Sequence, residues 1–261
     1  MINWNDVWKH QMLILGRTAA LQSEFWDGVA RRGSGSGLTD LTGKQLGKMR
    51  ISHADALLEV GPGDGRLTVP LAKIAKAVTV VEPSKGMLEA LKENARMSGV
   101  HNIRYVNKRW EDVEVGGEVE EHDVVVASFS LLVFDLKAAL EKIDSAARKA
   151  AYIFFSAESW IPEDLQGLLF GEAFGMLSDH IIAYNLLHSI GITPNVEVIE
   201  YEMRKCFNTF DEALRDFAES YAVPSSKARV LEGYLKNALV EESDGLWYKR
   251  RRKAALIWWT K

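Results

Sequence analysis

Apolar residues recur at helical spacing through residues 3–32: Trp4, Val7, Trp8, Met12 and Leu15, then Leu21, Phe25, Trp26 and Val29. That period predicts helix. The run Gly33-Ser34-Gly35-Ser36-Gly37 breaks it as a linker or mobile loop, and residues 39–50 predict a further helix. From residue 55 the pattern changes. Ala56–Val60, Ala77–Glu82, Asn102–Val106, Asp123–Phe129 and Ala150–Ser156 are short apolar or β-branched runs that read as strands. Helical stretches separate them: 65–76, with Pro70 as an awkward member; 85–98, with Ser84 as cap and Gly99 as stop; and 136–148. Such alternation predicts right-handed βαβ units and a parallel sheet covered on both faces. After residue 157 the rhythm is lost. Residues 163–190 read as one or two helices, Asn195–Phe207 as a long strand, and Asp211–Ala222 and Ser225–Val240 as helices. Gly245–Thr260 reads as a tryptophan-rich strand.

Composition narrows the class. The 261 residues are 47 % hydrophobic with eight tryptophans, enough for a packed core. Thirty-two basic residues face 36 acidic ones, a net charge of −4. A broad nucleic-acid footprint needs a basic face, so the balance predicts no nucleic-acid partner. The one cysteine, Cys206, has no intramolecular partner and reads as an apolar filler, and no Cys/His cluster has zinc spacing, so no metal is expected. The longest early apolar run, Met12 to Leu15, is too short for a bilayer span or a secretory segment. The expectation is a soluble cytoplasmic protein without a membrane partner.

The chemistry concentrates at Leu57-Leu58-Glu59-Val60-Gly61-Pro62-Gly63-Asp64-Gly65-Arg66, a strand running into a glycine turn with a helix beyond. Glycine permits close backbone approach, and a helix start offers free N–H donors. A dinucleotide turn reads G-x-G-x-x-G. Here the glycines fall at 61, 63 and 65, and Arg66 takes the third position of that pattern, crowding the place of a pyrophosphate. Glu82 ends the second strand, where a carboxylate can accept from both ribose hydroxyls. The combination favours an adenosine cofactor without a pyrophosphate.

At this point residues 40–156 resemble the class I S-adenosylmethionine-dependent methyltransferases. The matching stretches are Glu59-Val60-Gly61-Pro62-Gly63-Asp64-Gly65, Val81-Glu82-Pro83-Ser84 with Met87, Trp110-Glu111-Asp112, and Asp123-Val124-Val125-Val126-Ala127-Ser128. The resemblance implies a doubly wound α/β fold with a mostly parallel seven-stranded sheet, its last strand antiparallel. Residues 1–50 would form an N-terminal helical cover, and 51–261 the cofactor-binding domain, with 157–190 and 211–240 as helical cover over the pocket. The cofactor would be S-adenosylmethionine, leaving as S-adenosylhomocysteine. Gly61–Gly65 would pass under its methionine, Glu82 hold the ribose, and Met87 and its neighbours lie against adenine. Trp110 and Glu111 would read the adenine edge, and Ser128, Phe129 and Ser130 flank the sulfonium. Arg109 stands where many members carry Asp.

Plainer readings stand beside these. Trp110 suits hydrophobic packing as well as cofactor contact. Tyr248-Lys249-Arg250-Arg251-Arg252-Lys253 suits an edge or solvated strand face. His180 and Tyr184 share a helix face and are candidate acceptor-binding residues, with His180 also a candidate base, against a structural role in packing. No catalytic group is singled out. An Asn-Pro-Pro-Tyr type of motif, found in enzymes that methylate exocyclic amines, is absent at the fourth strand, where Ser128-Phe129-Ser130-Leu131 stands. With the charge and the helical cover, this points to a small-molecule acceptor. The alternatives are an NAD-dependent oxidoreductase, or a non-catalytic binding module marked by an exposed apolar patch around Trp4 and Trp8.

Overall fold

The computed structural model describes residues 2–14, 17–31, 38–159, 161–171, 178–221 and 223–261, so the Gly33–Gly37 segment lies outside the described residues. In chain order the elements are α1 (Trp4–Ile14), a 3-10 turn (Arg17–Leu21), α2 (Ser23–Arg31), β1 (Leu38–Thr39), α3 (Leu41–Lys48), β2 (Ala56–Val60), α4 (Thr68–Ile74), β3 (Ala77–Val81), α5 (Lys85–Met97) and β4 (Ile103–Val106). A 3-10 turn (Trp110–Asp112) leads to β5 (His122–Ser128), α6 (Leu136–Ala146), β6 (Ala147–Ser156), α7 (Glu163–Phe170), α8 (Asp179–Ser189), β7 (Asn195–Phe207) and α9 (Phe210–Ser220). A third 3-10 turn (Ser225–Lys227), α10 (Ala228–Ala238), β8 (Leu239–Glu242) and β9 (Gly245–Thr260) complete the order.

The strands form one sheet in the order β1-β7-β9-β6-β5-β2-β3-β4, with β8 also on β9. Strands β2 to β6 are mutually parallel, and β7 and β9 run antiparallel beside them. The doubly wound, mostly parallel expectation therefore holds. The short β1 and β8 are additions: two residues show no period, and Leu239–Glu242 continues a helical pattern. Helix α4 starts three residues later than its sequence pattern suggests, because Gly65–Leu67 belong to the turn. Pro70 then falls in the helix's first turn, where no intrahelical N–H bond is lost.

Side-chain alternation along the parallel strands divides the core. Leu58, Val60, Val125, Ala127 and Ile153 face α6, α8 and α1, and Leu57, Val78, Val80, Val124 and Phe154 face α4 and α5. A third cluster joins α7, α9 and α10 to the ends of β7 and β9 through Leu165, Phe207, Phe217, Leu231, Leu235 and Tyr248. Burying each large aliphatic or aromatic side chain contributes about 1.5–3 kcal/mol. Trp8 is 0 % exposed and donates its indole N–H to Val133 O at 2.7 Å, and Trp4 packs on the first cluster, so neither forms the apolar patch expected of a binding module.

Strand β9 pairs with β7 along nearly its whole length, while on its other side β6 takes Ala254–Thr260 and β8 takes Gly245–Tyr248, so Lys249–Arg252 has a strand partner on one side alone, as an edge or solvated face would. Alternate residues Lys249, Arg251 and Lys253 are exposed, while Tyr248 and Arg252 point into the protein. Cys206 is exposed rather than packed, because its register opposite Trp247 puts it on the outward face. Among the described residues no helix is long and apolar enough to cross a membrane.

Candidate functional site

Parallel strands leave their carboxyl ends on one rim of the sheet, where a chain reversal exposes backbone donors. Strand β2 reaches that rim at Val60, and Gly61 and Gly63 turn with φ of 66° and 58°. A Cβ at Gly61 would overlap the Ser130 side chain, so the β2 turn and the end of β5 can approach only through glycine. A Cβ at Gly63 would meet nothing within 4 Å, so open space adjoins the turn there. Pro62 is buried, and its carbonyl accepts from Gly65 N at 3.1 Å. The Asp64 carboxylate accepts from Arg66 N at 3.3 Å.

Two carboxylates flank the turn. Glu59, on β2, is buried and accepts from the Thr68 hydroxyl at 2.7 Å. Burial raises its carboxyl to about 7, against the smaller opposing pulls of that hydrogen bond and of Arg66. Glu82, at the end of β3, accepts from Ser84 N at 2.9 Å and from Gly63 N at 3.3 Å. Burial pushes its carboxyl up as well. Asn107 holds this corner by donating to Glu82 O and Pro83 O, each at 2.9 Å. Ser84 caps α5 by accepting from Met87 N at 3.1 Å, and Met87 is buried in that first turn. Asp27, from α2, accepts from the Ser84 hydroxyl at 2.6 Å and from Gly86 N at 3.0 Å, which brings the amino-terminal helices to the same corner.

The Trp110–Asp112 turn sits on α6. The Trp110 indole is buried, with its N–H donated to Ala139 O at 3.3 Å, so its side chain serves the core. The Glu111 carboxylate accepts from Arg109 at 2.8 Å, so the residue that departs from the common family pattern holds the one expected to read adenine. Lys142 lies beneath the turn with its ammonium on the carbonyls of Trp110, Glu111 and Val113.

At the end of β5, Phe129 takes φ 55°, a left-handed conformation that is uncommon for a residue with a Cβ. Ser130 donates its hydroxyl to Val60 O. Ser128 Oγ accepts from Arg66 Nη2 at 3.2 Å and from Gln45 Nε2 at 3.0 Å, while Arg66 Nη1 donates to Thr42 Oγ1 at 2.6 Å. Gln45 is completely buried, and its Oε1 has no hydrogen-bond partner among the described residues.

The structure thus gathers Gly61–Gly65, Glu59, Glu82–Ser84 and Ser128–Ser130 on one rim. Of the acceptor candidates, Tyr184 packs on the first core cluster. His180 lies next to the Ser156 backbone, its Nδ1 buried without a well-formed hydrogen bond and its imidazole shifted down by burial. Gln45, Thr42, Asp27 and Lys142 carried no sequence signal, since each reaches the rim from a remote segment. Among the described residues no group of His, Cys, Asp and Glu could hold a metal.

Residues 57–150 match a family model described as a methyltransferase domain. A protein of Haemophilus influenzae is 29 % identical over 228 residues, covering 82 % of this chain and 79 % of that one. The fold is that of the YcgJ protein from Bacillus subtilis (TM-score 0.57, 13 % identity, 84 % of this chain and 97 % of that one). A shorter stretch is 37 % identical over 60 residues to the ribosomal RNA small subunit methyltransferase A of Desulforapulum autotrophicum, covering 23 % of this chain and 21 % of that one. This corrects the expectation of a small-molecule acceptor and no nucleic acid. A net charge and a helical cover do not separate acceptor classes when the matching proteins include one named for ribosomal RNA. The ordered motifs, the sheet topology and the domain match agree: residues 57–150 match a methyltransferase domain, and the chain has the fold of a solved putative methyltransferase from Bacillus halodurans (TM-score 0.56, 12 % identity, 84 % of this chain and 98 % of that one).

Proposed function

We propose that this chain binds S-adenosylmethionine across the 61–65 turn and transfers its methyl group to an acceptor by in-line displacement. The observation that carries the reading is the state of Glu82. Its buried carboxylate is fixed by two backbone N–H groups and by no cation within ion-pair distance among the described residues. A carboxylate offers about four acceptor positions. The remainder, next to the open side of Gly63, suits a ribose diol.

The other residues fit the same cofactor. Arg66 is half-buried, and its guanidinium has only hydroxyl partners among the described residues. Gln45 Oε1 is a buried acceptor in want of a donor among the described residues. Beside Ser128 the two suit the carboxylate and the ammonium of an amino-acid end. When bound, the sulfonium supplies the activated methyl group. The protein's part is to orient it, exclude water and hold the acceptor in line, and positioning of this kind is worth about 7–11 kcal/mol in favourable cases.

Calorimetric titration with S-adenosylhomocysteine tests the reading. Wild type binds, and Glu82→Ala loses about 1–3 kcal/mol through the missing charged hydrogen bonds. The analogue 5′-methylthioadenosine, which lacks the amino-acid end, binds wild type more weakly, and Gln45→Leu narrows that difference. A wild-type protein that binds neither ligand overturns the proposal.

A further inference from the structure

Lys142 makes an arrangement that the fold alone does not require. Its ammonium donates to Trp110 O at 2.9 Å, Glu111 O at 2.8 Å and Val113 O at 2.9 Å. It also lies 5.4 Å from the centroid of the Trp110 ring. The side chain is half-buried, and burial, the largest influence on it, pulls its ammonium below the ordinary lysine value. Among the described residues no carboxylate stands in ion-pair contact with it. A desolvated ammonium that faces only carbonyls is costly unless its geometry is good, and here all its donors are used.

Two of the carbonyls belong to one turn, and the third is that of Val113, the residue that closes it. A 3-10 turn directs its carbonyls one way and leaves its first N–H groups without intrahelical partners at the other end. Whatever fixes the carbonyls therefore fixes the direction of the free N–H groups. Helix α6 holds this turn at two points on one face: Ala139 O accepts from the Trp110 indole, and Lys142, one turn further on, fixes the carbonyls. The Glu111 side chain is turned aside by Arg109, which leaves the backbone of this turn as its most constrained polar edge.

We propose that Lys142 is the positioning residue for base recognition: by holding the Trp110–Val113 carbonyls against α6, it sets the backbone edge that distinguishes adenine from other bases. This rests on the cofactor reading above, taken with the resemblance by which Trp110 and Glu111 would stand at the adenine edge. A lysine that merely stabilises a loop would change overall stability and leave base preference untouched.

The experiment compares S-adenosylhomocysteine with S-inosylhomocysteine, which differs only at the base, by calorimetry on wild type, Lys142→Met and Lys142→Arg. Met keeps the apolar stem and removes every donor, while Arg keeps the charge and the donors. Wild type prefers the adenosyl ligand. In Lys142→Met that preference shrinks by about tenfold, roughly the loss of one charge-assisted hydrogen bond, and Lys142→Arg restores part of it. Should Lys142→Met fail to fold, Lys142→Leu, which is equally donor-free, carries the same comparison. A preference unchanged from wild type in the donor-free variant overturns this inference, whatever happens to melting temperature. Wild type binding neither ligand overturns the cofactor reading, and this inference with it.

Discussion

Two groups of buried charge lie on opposite sides of β5, and their signs differ. On one side β2 and β3 hold Glu59 and Glu82. Their partners are a hydroxyl and two backbone N–H groups, with no cation in ion-pair contact among the described residues. On the other side β9 holds Arg250 and Arg252. Arg252, 8 % exposed along its side chain, pairs with Glu158, 15 % exposed, and Arg250 stands 3.8 Å from Asp164. A carboxylate met by neutral donors keeps spare acceptor positions for a ligand, while its raised pKa makes it easier to protonate. An ion pair turns its charge on itself. The first arrangement suits binding, and the second holds the β9 end and its helices together.

The largest expected effect lies on the arginine side. Arg252→Met leaves the Glu158 carboxylate buried without its cation and lowers stability by about 3–5 kcal/mol in urea unfolding. S-adenosylhomocysteine affinity at moderate temperature stays near the wild-type value. An affinity loss as large as the stability loss would break the division between the two sides.

Glu59 gives a pH signature on the acid side. Its folded-state pKa of about 7 lies above the unfolded value of 4.5. The folded protein therefore holds the proton more tightly, and the associated stability is full below pH 4.5, declines between 4.5 and 7, and is gone above 7. Linkage puts that loss at about 3 kcal/mol. Glu59→Gln keeps an acceptor for Thr68 and removes the proton. Unfolding free energy measured across this window falls for wild type relative to the variant, and parallel curves would show that Glu59 is ionised throughout.

The two sides also differ in how far the sequence discloses them. The glycine turn, Glu82 and the Ser84 cap are legible because each acts through the backbone of its own neighbourhood, as turn, strand end or helix start. Strands β2, β3, β5 and β6 are legible because burial on both faces leaves largely continuous apolar runs. The place of β9 between β6 and β7 is not, since that pairing joins residues far apart in the chain and leaves no local mark. The Arg252–Glu158 pair and the Arg66–Ser128–Gln45 contacts follow from that long-range order, and so does Lys142, which stands 32 residues beyond Trp110. Formal charge misled most: a sum over the chain cannot show that acids gather at one end of the rim and bases at the other.

Ser84 offers the smallest effect and the sharpest separation of side chain from backbone. Its N–H holds Glu82, while its hydroxyl accepts from Met87 N and donates to Asp27. Ser84→Ala removes the cap and the link to α2 but leaves the N–H in place. Stability should fall by about 1 kcal/mol, the usual cost of a lost N-cap, read as a shift in urea midpoint. Asp27 loses the strongest of the contacts that keep its carboxyl below the ordinary range, so the variant should also lose part of the stability that wild type gains as the pH rises through that range. Affinity for S-adenosylhomocysteine should stay within about threefold of wild type, less than the effect of one lost hydrogen bond. A much larger loss would mean that Glu82 is oriented through Asp27 and the amino-terminal helices rather than by its own turn, and the acid side would then depend on long-range contacts as the arginine side does.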